Sequence, residues 1–125
     1  MSYDIFFQRF EGGDSATAGG EEARQVLAPY LRPSAAAPER IERAGSVADV
    51  YALNDGGMMV NHIEGNGLWD VLVEAARAAE WTIMPTGCAV CVFSQEMLDA
   101  LPEGLDKDAV IISSGAQLSQ VILAT

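Results

Sequence analysis

Between Asn66 and Trp81 the apolar residues keep to one side of a helix. Leu68, Val71, Leu72, Ala75, Ala76 and Ala79 stand at i, i+3, i+4, i+7, i+8 and i+11, a single stripe at helical period. Asp70, Glu74, Arg77 and Glu80 lie largely off that stripe. A helix this short gains most of its stability from packing, so the remainder of the chain must supply a layer to cover it. The preceding residues supply one. Val47 to Leu53 and Met58 to Ile63 read as strands, and Asn54-Asp55-Gly56-Gly57 between them tolerates the positive φ of a hairpin turn. Asn66 is the expected N-cap of the helix.

Other elements follow by the same reasoning. Tyr3 to Phe10 is aromatic-rich, with apolar residues on both parities (Ile5 and Phe7, Phe6 and Phe10), so it predicts a strand covered on two faces. Glu11 to Gly20 reads as a flexible loop. Glu21 to Leu31 predicts a helix with an acidic first turn, kinked or ended by Pro29. Pro33 to Pro38 is an Ala-rich connector, and Ile41 begins a short edge strand. Trp81 to Met84 is a strand closed by Pro85. Cys88 to Phe93 is strand-like in content but could open a helix. Ser94 caps a short helix through Leu101, stopped by Pro102. Ala109 to Ser113 is a strand, and Ser114 with Gln117 forms a capping box for a terminal helix through Leu123.

Strands alternating with helices over 125 residues predict one domain, 1–125, of the α/β (α+β) class. The expected form is a layered sandwich, a mixed sheet of about five strands with helices packed on it. The order of the first 93 residues also permits a ferredoxin-like core.

Composition narrows the function classes. The net charge is -11, with -4 in residues 1–62 and -7 in residues 63–125. That field repels phosphate backbones and anionic membranes and steers basic partners inward. The few basic residues form no stripe, which excludes nucleic-acid binding through a basic face. No apolar run spans a bilayer, and the N-terminus lacks the basic start of a signal peptide. The expected location is therefore the cytoplasm, where two cysteines stay reduced. Gly12-Gly13 and Gly19-Gly20 precede a helix, but Lys107 is the only lysine and no phosphate-loop motif surrounds it. No G-x-S-x-G motif occurs either.

One constellation points to metal chemistry. His62 is the only histidine, Glu64 lies two residues on, and Cys88 and Cys91 form the only C-x-x-C. Zinc takes imidazole and thiolate, and a catalytic site keeps a fourth position for water. In that order the four residues resemble the zinc-dependent nucleobase deaminases. The resemblance implies His62, Cys88 and Cys91 as zinc ligands and Glu64 as proton shuttle. The geometry requires a turn at Gly87, since residues three apart on a regular strand face opposite ways. The same C-x-x-C could serve thiol redox chemistry if it opened a helix, and either cysteine could be plain core.

The leading expectation is different. In size and charge the chain resembles the small acidic immunity and inhibitor proteins with which bacteria neutralise basic toxin domains. This resemblance implies a non-enzymatic protein-binding domain without a cofactor, whose carboxylate-rich face captures a basic partner. The candidate patch comprises Glu64, Asp70, Glu74 and Glu80, with Trp69 as aromatic anchor. Trp81, at the other end of the same helix, is expected to pack in the core. A self-associating domain is the remaining alternative, with Val121-Ile122-Leu123 packing in a homodimer.

Overall fold

The computed structural model describes residues 3–32 and 39–124. In chain order the elements are β1 (Ile5–Glu11), β2 (Asp14–Ala16), α1 (Gly20–Leu27), β3 (Leu31–Arg32), β4 (Glu39–Arg43), β5 (Ser46–Asn54), β6 (Gly57–Glu64), α2 (Trp69–Ala79), β7 (Thr82–Pro85), β8 (Cys91–Val92), α3 (Gln95–Asp99), β9 (Val110–Ile111) and α4 (Gly115–Leu123). The class is mixed α/β, with four helices on a mixed open sheet. The sheet runs β3-β4-β5-β6-β1-β7-β8-β9, and β2 pairs only with β1. Every neighbouring pair is antiparallel except β8 with β9. Among the described residues nine strands replace the expected five. β2 and β3, three and two residues long, are too short for periodicity to register, while β8 and β9 are two-residue pieces of the stretches 88–93 and 109–113 expected as strands.

The hairpin forms where the sequence puts it. Asn54 pairs with Gly57, and the Asn54 side chain accepts from the Gly56 amide at 2.6 Å. Gly57 has φ of 116°, and a Cβ there would strike the Phe7 carbonyl of neighbouring β1. The hairpin tip also closes α1. Asp55 Oδ1 accepts from the Gly20 amide at 2.9 Å, satisfying a donor that the helix itself leaves open. Asp70 does the same for α4, accepting from the Gly115 amide at 2.9 Å.

The stripe of α2 is buried as expected: Leu68, Val71, Leu72, Ala75, Ala76 and Ala79 all lie in the core. They pack with Ile5 and Phe7 of β1, Val50 of β5, Val60 of β6 and Ile83 of β7. Trp81 is fully buried, and its indole donates to the Ala18 carbonyl at 2.8 Å.

Several expectations change. β1 is covered on one face only: Ile5 and Phe7 are buried, while Phe6 between them is 47% exposed. The residues 11–20 are not simply a loop. Gly12 and Gly13, both at positive φ, turn the chain so that β2 returns along β1. Helix α1 stops at Leu27, two residues before Pro29, which frees Leu31 to pair with Ile41. β4 is therefore an inner strand rather than an edge. The connector 33–38 lies outside the described residues. Asn66 does not cap α2, whose first helical residue is Trp69. It sits in a Gly65–Gly67 turn and accepts from the Trp69 indole at 3.4 Å. Ser94 and Ser114 do cap α3 and α4, accepting from the Met97 and Gln117 amides. α3 ends earlier than expected, at Asp99. Among the described residues no helix is long and apolar enough to cross a membrane.

Candidate functional site

The residues of the metal-site pattern fall on separate parts of the sheet. His62 lies near the end of β6, in a stretch where β5 and β6 lose regular register. Its φ is 52°, a left-handed conformation that side chains rarely adopt. Its ring meets Asp49 on β5, Nδ1 to Oδ2, at 2.9 Å. Cys91 lies on β8, opposite Ile83. Strands β1 and β7 stand between β6 and β8, so the two backbones are separated by roughly 14 Å at ordinary strand spacing. Gly87 does adopt a positive φ of 77°, but the turn it makes leaves Cys88 half-buried beside the end of α4, with its thiol 4.0 Å from the Ile122 carbonyl. Glu64 is exposed, and its backbone carbonyl accepts from the Ser46 hydroxyl at 2.6 Å. Among the described residues no group of three or more His, Cys, Asp or Glu side chains is arranged to hold a metal ion.

Cys91 is a core residue, fully buried. Burial, reinforced by the neighbouring Cys88, pushes its thiol up to about 11. A thiol held in its neutral form is a poor nucleophile and a poor ligand. The C-x-x-C does not open a helix: β8 follows at Cys91, and α3 begins at Gln95.

Of the acidic patch, Trp69, Asp70 and Glu74 lie on α2 and Glu80 caps its end, while Glu64 ends β6. Trp69 opens the helix half-buried, and beside it lies a groove of about 430 Å³ lined by Asn66, Trp69, Asp70, Ala116, Ser119 and Leu123. Leu123, at the end of α4, is 76% exposed. The groove thus offers an indole and a leucine side chain to a visitor, with a carboxylate at the rim. Asp70 has a structural bond as well, to α4. Glu74 is exposed one turn beyond Asp70 and makes no ion pair among the described residues. Glu80 stands at the other end of α2, roughly 16 Å away by helical rise. It pairs with Arg9 at 3.0 Å.

Glu80 belongs to a different cavity, of about 490 Å³, between the β1–β2 hairpin, the end of α2 and α3. Most of its charges are engaged internally, Glu96 excepted. Arg9 is held by Glu11 and Glu80, and Arg77 donates to the Ser113 carbonyl while lying over the Phe93 ring at 5.2 Å. Of the terminal trio considered for dimerisation, Ile122 is core, Val121 packs against the core and only Leu123 projects. The role of Leu123 in the Trp69 groove has no local signal in the sequence, because it depends on how α4 lies along α2.

Ion pairing leaves most of the acid unmatched. Among the described residues five of the eighteen carboxylates are paired with cations: Glu11, Glu39, Glu42, Asp49 and Glu80. The rest contribute an outward negative field. Comparison of the chain with protein-family models, with curated proteins and with solved structures returned no match.

Proposed function

We propose that this chain is a non-enzymatic, cytoplasmic protein-binding domain that captures a basic partner in the manner of an immunity or inhibitor protein. One observation carries this reading: the groove that half-buried Trp69 and exposed Leu123 both line, rimmed by Asp70 with Glu74 one turn away. Large apolar side chains set in an acidic surround suit a partner whose cationic side chains carry apolar stems. The unmatched carboxylates hasten its approach. Glu64 acts in this reading through the long-range field, not through contact in the groove, and Glu80 is held by Arg9 away from it. The framework reads as a ferredoxin-like core. The succession β1-α1-β5-β6-α2-β7, with β5, β6, β1 and β7 adjacent and mutually antiparallel, supports that description, and β3, β4, β8 and β9 extend it.

The test is affinity capture from lysate of the native cells with wild type, Trp69→Ala and Glu74→Gln, followed by mass spectrometry. A basic protein held by wild type and depleted in both variants is expected. A partner retained equally by all three would overturn the reading. Metal analysis of the same wild-type preparation addresses the hydrolase alternative: about one zinc per chain, lost in His62→Ala, would favour the enzyme.

A further inference from the structure

The helix-free face of the sheet carries an apolar row that nothing in the chain's described residues covers. In β1 the side chains of Ile5 and Phe7 enter the core, so Phe6 points the other way. Phe6 lies opposite Met59 on β6 and opposite Met84 on β7, and Met59 lies opposite Tyr51 on β5. Directly opposed residues share a face. Tyr51, Met59, Phe6 and Met84 therefore form one row across four adjacent strands, with Phe6 47% exposed and the others half-buried. A recess of about 290 Å³ adjoins the row, bounded by Phe6, Met59, Gln8 and Ala52 and continued by Gly56 and Gly57. Gly57 contributes no side chain to fill it.

We infer that this face is where two copies of the chain pair. The patch offers a projecting phenyl ring beside a recess large enough to receive one. A two-fold contact needs both on the same surface, because each copy presents the identical patch to the other. Charge weakens the contact without forbidding it. At -11 per chain, two copies repel over most of their surface. Beside the row Arg40 meets Asp49 at 3.4 Å and His62 meets the same carboxylate at 2.9 Å, while Asp4 keeps its charge and accepts from the neutral Asn61 amide at 3.1 Å. The area sets the strength. Four strands at about 4.8 Å spacing and about five residues of each at about 3.3 Å give roughly 300 Å² in projection. Pairing then buries on the order of 600–1,000 Å² in total, the range of weak, transient complexes. This inference does not depend on the Trp69 groove, which is formed by α2 and α4 on the helical side of the molecule.

Sedimentation equilibrium of the full chain tests it. Wild type is expected to dimerise with a dissociation constant in the range of about 10–100 μM. That constant should tighten several-fold between about 50 and about 500 mM salt, as screening relieves the mutual repulsion. Phe6→Glu and, separately, Met59→Glu should weaken it at least tenfold, with an unchanged circular dichroism spectrum. The pair guards against one variant failing to fold. Leu123→Glu, on the helical side, should leave the constant unchanged. A wild type that stays monomeric at about 500 μM and high salt would overturn the inference and leave the face to a different protein. So would a dimer indifferent to both β1 and β6 variants, or one abolished by Leu123→Glu.

Discussion

Replacing Trp81 by phenylalanine measures how the helical layer is locked to the sheet. Trp81 follows the left-handed C-cap of α2 at Glu80 (φ 56°) and immediately precedes β7. It is fully buried, and its indole donates to the Ala18 carbonyl at 2.8 Å, just ahead of α1. Gly19 lies so close that a Cβ there would meet both Ala79 and the Trp81 ring nitrogen. Phenylalanine keeps an aromatic ring but removes the donor, leaving a part-buried carbonyl without its partner, at about 1 kcal/mol. The missing part of the indole opens roughly 40 Å³, which at about 24 cal/mol per Å³ adds about 1 kcal/mol. Lost apolar burial contributes a similar amount. The expected destabilisation is about 3 kcal/mol, read as a lower urea midpoint with an unchanged slope. Fluorescence supplies a second readout, since Trp69 is then the only tryptophan and is half-buried. Trp81→Phe should emit to the red of Trp69→Phe and be more readily quenched by acrylamide. A loss below about 1 kcal/mol, or emission as blue as that of Trp69→Phe, would refute the packing described for this junction.

Three further outcomes follow from local geometry. Gly57→Ala places a side chain at φ 116° against the Phe7 carbonyl; it should cost about 3 kcal/mol or more in a denaturant melt, and a near-neutral result would contradict the described hairpin. Asp70→Ala removes the acceptor of the Gly115 amide and should cost about 1 kcal/mol, with faster hydrogen exchange confined to the first turn of α4; unchanged exchange there would contradict a capping role. Cys91 ionises at about 11 in the fold against an ordinary 9.0. Between those values the unfolded chain binds fewer protons, so stability should fall as pH rises through that window, by up to about 3 kcal/mol. Cys91→Ala should flatten the pH profile there, and a profile as steep as wild type's would show that another group is responsible.

What could be read from the sequence was what is decided nearby. The Asn54–Gly57 turn, the stripe of α2 and the Ser94 and Ser114 caps depend on residues within a few positions of one another, and all appear. What escaped is decided by distant pairing. Asp55 and Asp70 cap helices 35 and 45 residues away, a relation that no local pattern carries. Aromatic residues on both parities of β1 suggested two covered faces, but the helices lie on one side and Phe6 is left outside. The His62–Cys91 pattern had suggestive spacing, yet the β5–β6 hairpin docks on β1 rather than beside β8, which keeps the imidazole from the thiols. At the candidate patch, Trp69 was legible from its place beside the apolar stripe. Leu123 was not, because its exposure depends on how α4 lies against α2.

If an acidic surface around Trp69 captures a basic protein, as proposed, salt governs the affinity. Calorimetric titration of the captured partner at about 50 and about 500 mM salt should show affinity falling at least tenfold as the field is screened, with Trp69→Ala weakening binding at both salt concentrations. Affinity that is unchanged by salt and by Trp69→Ala would contradict the account.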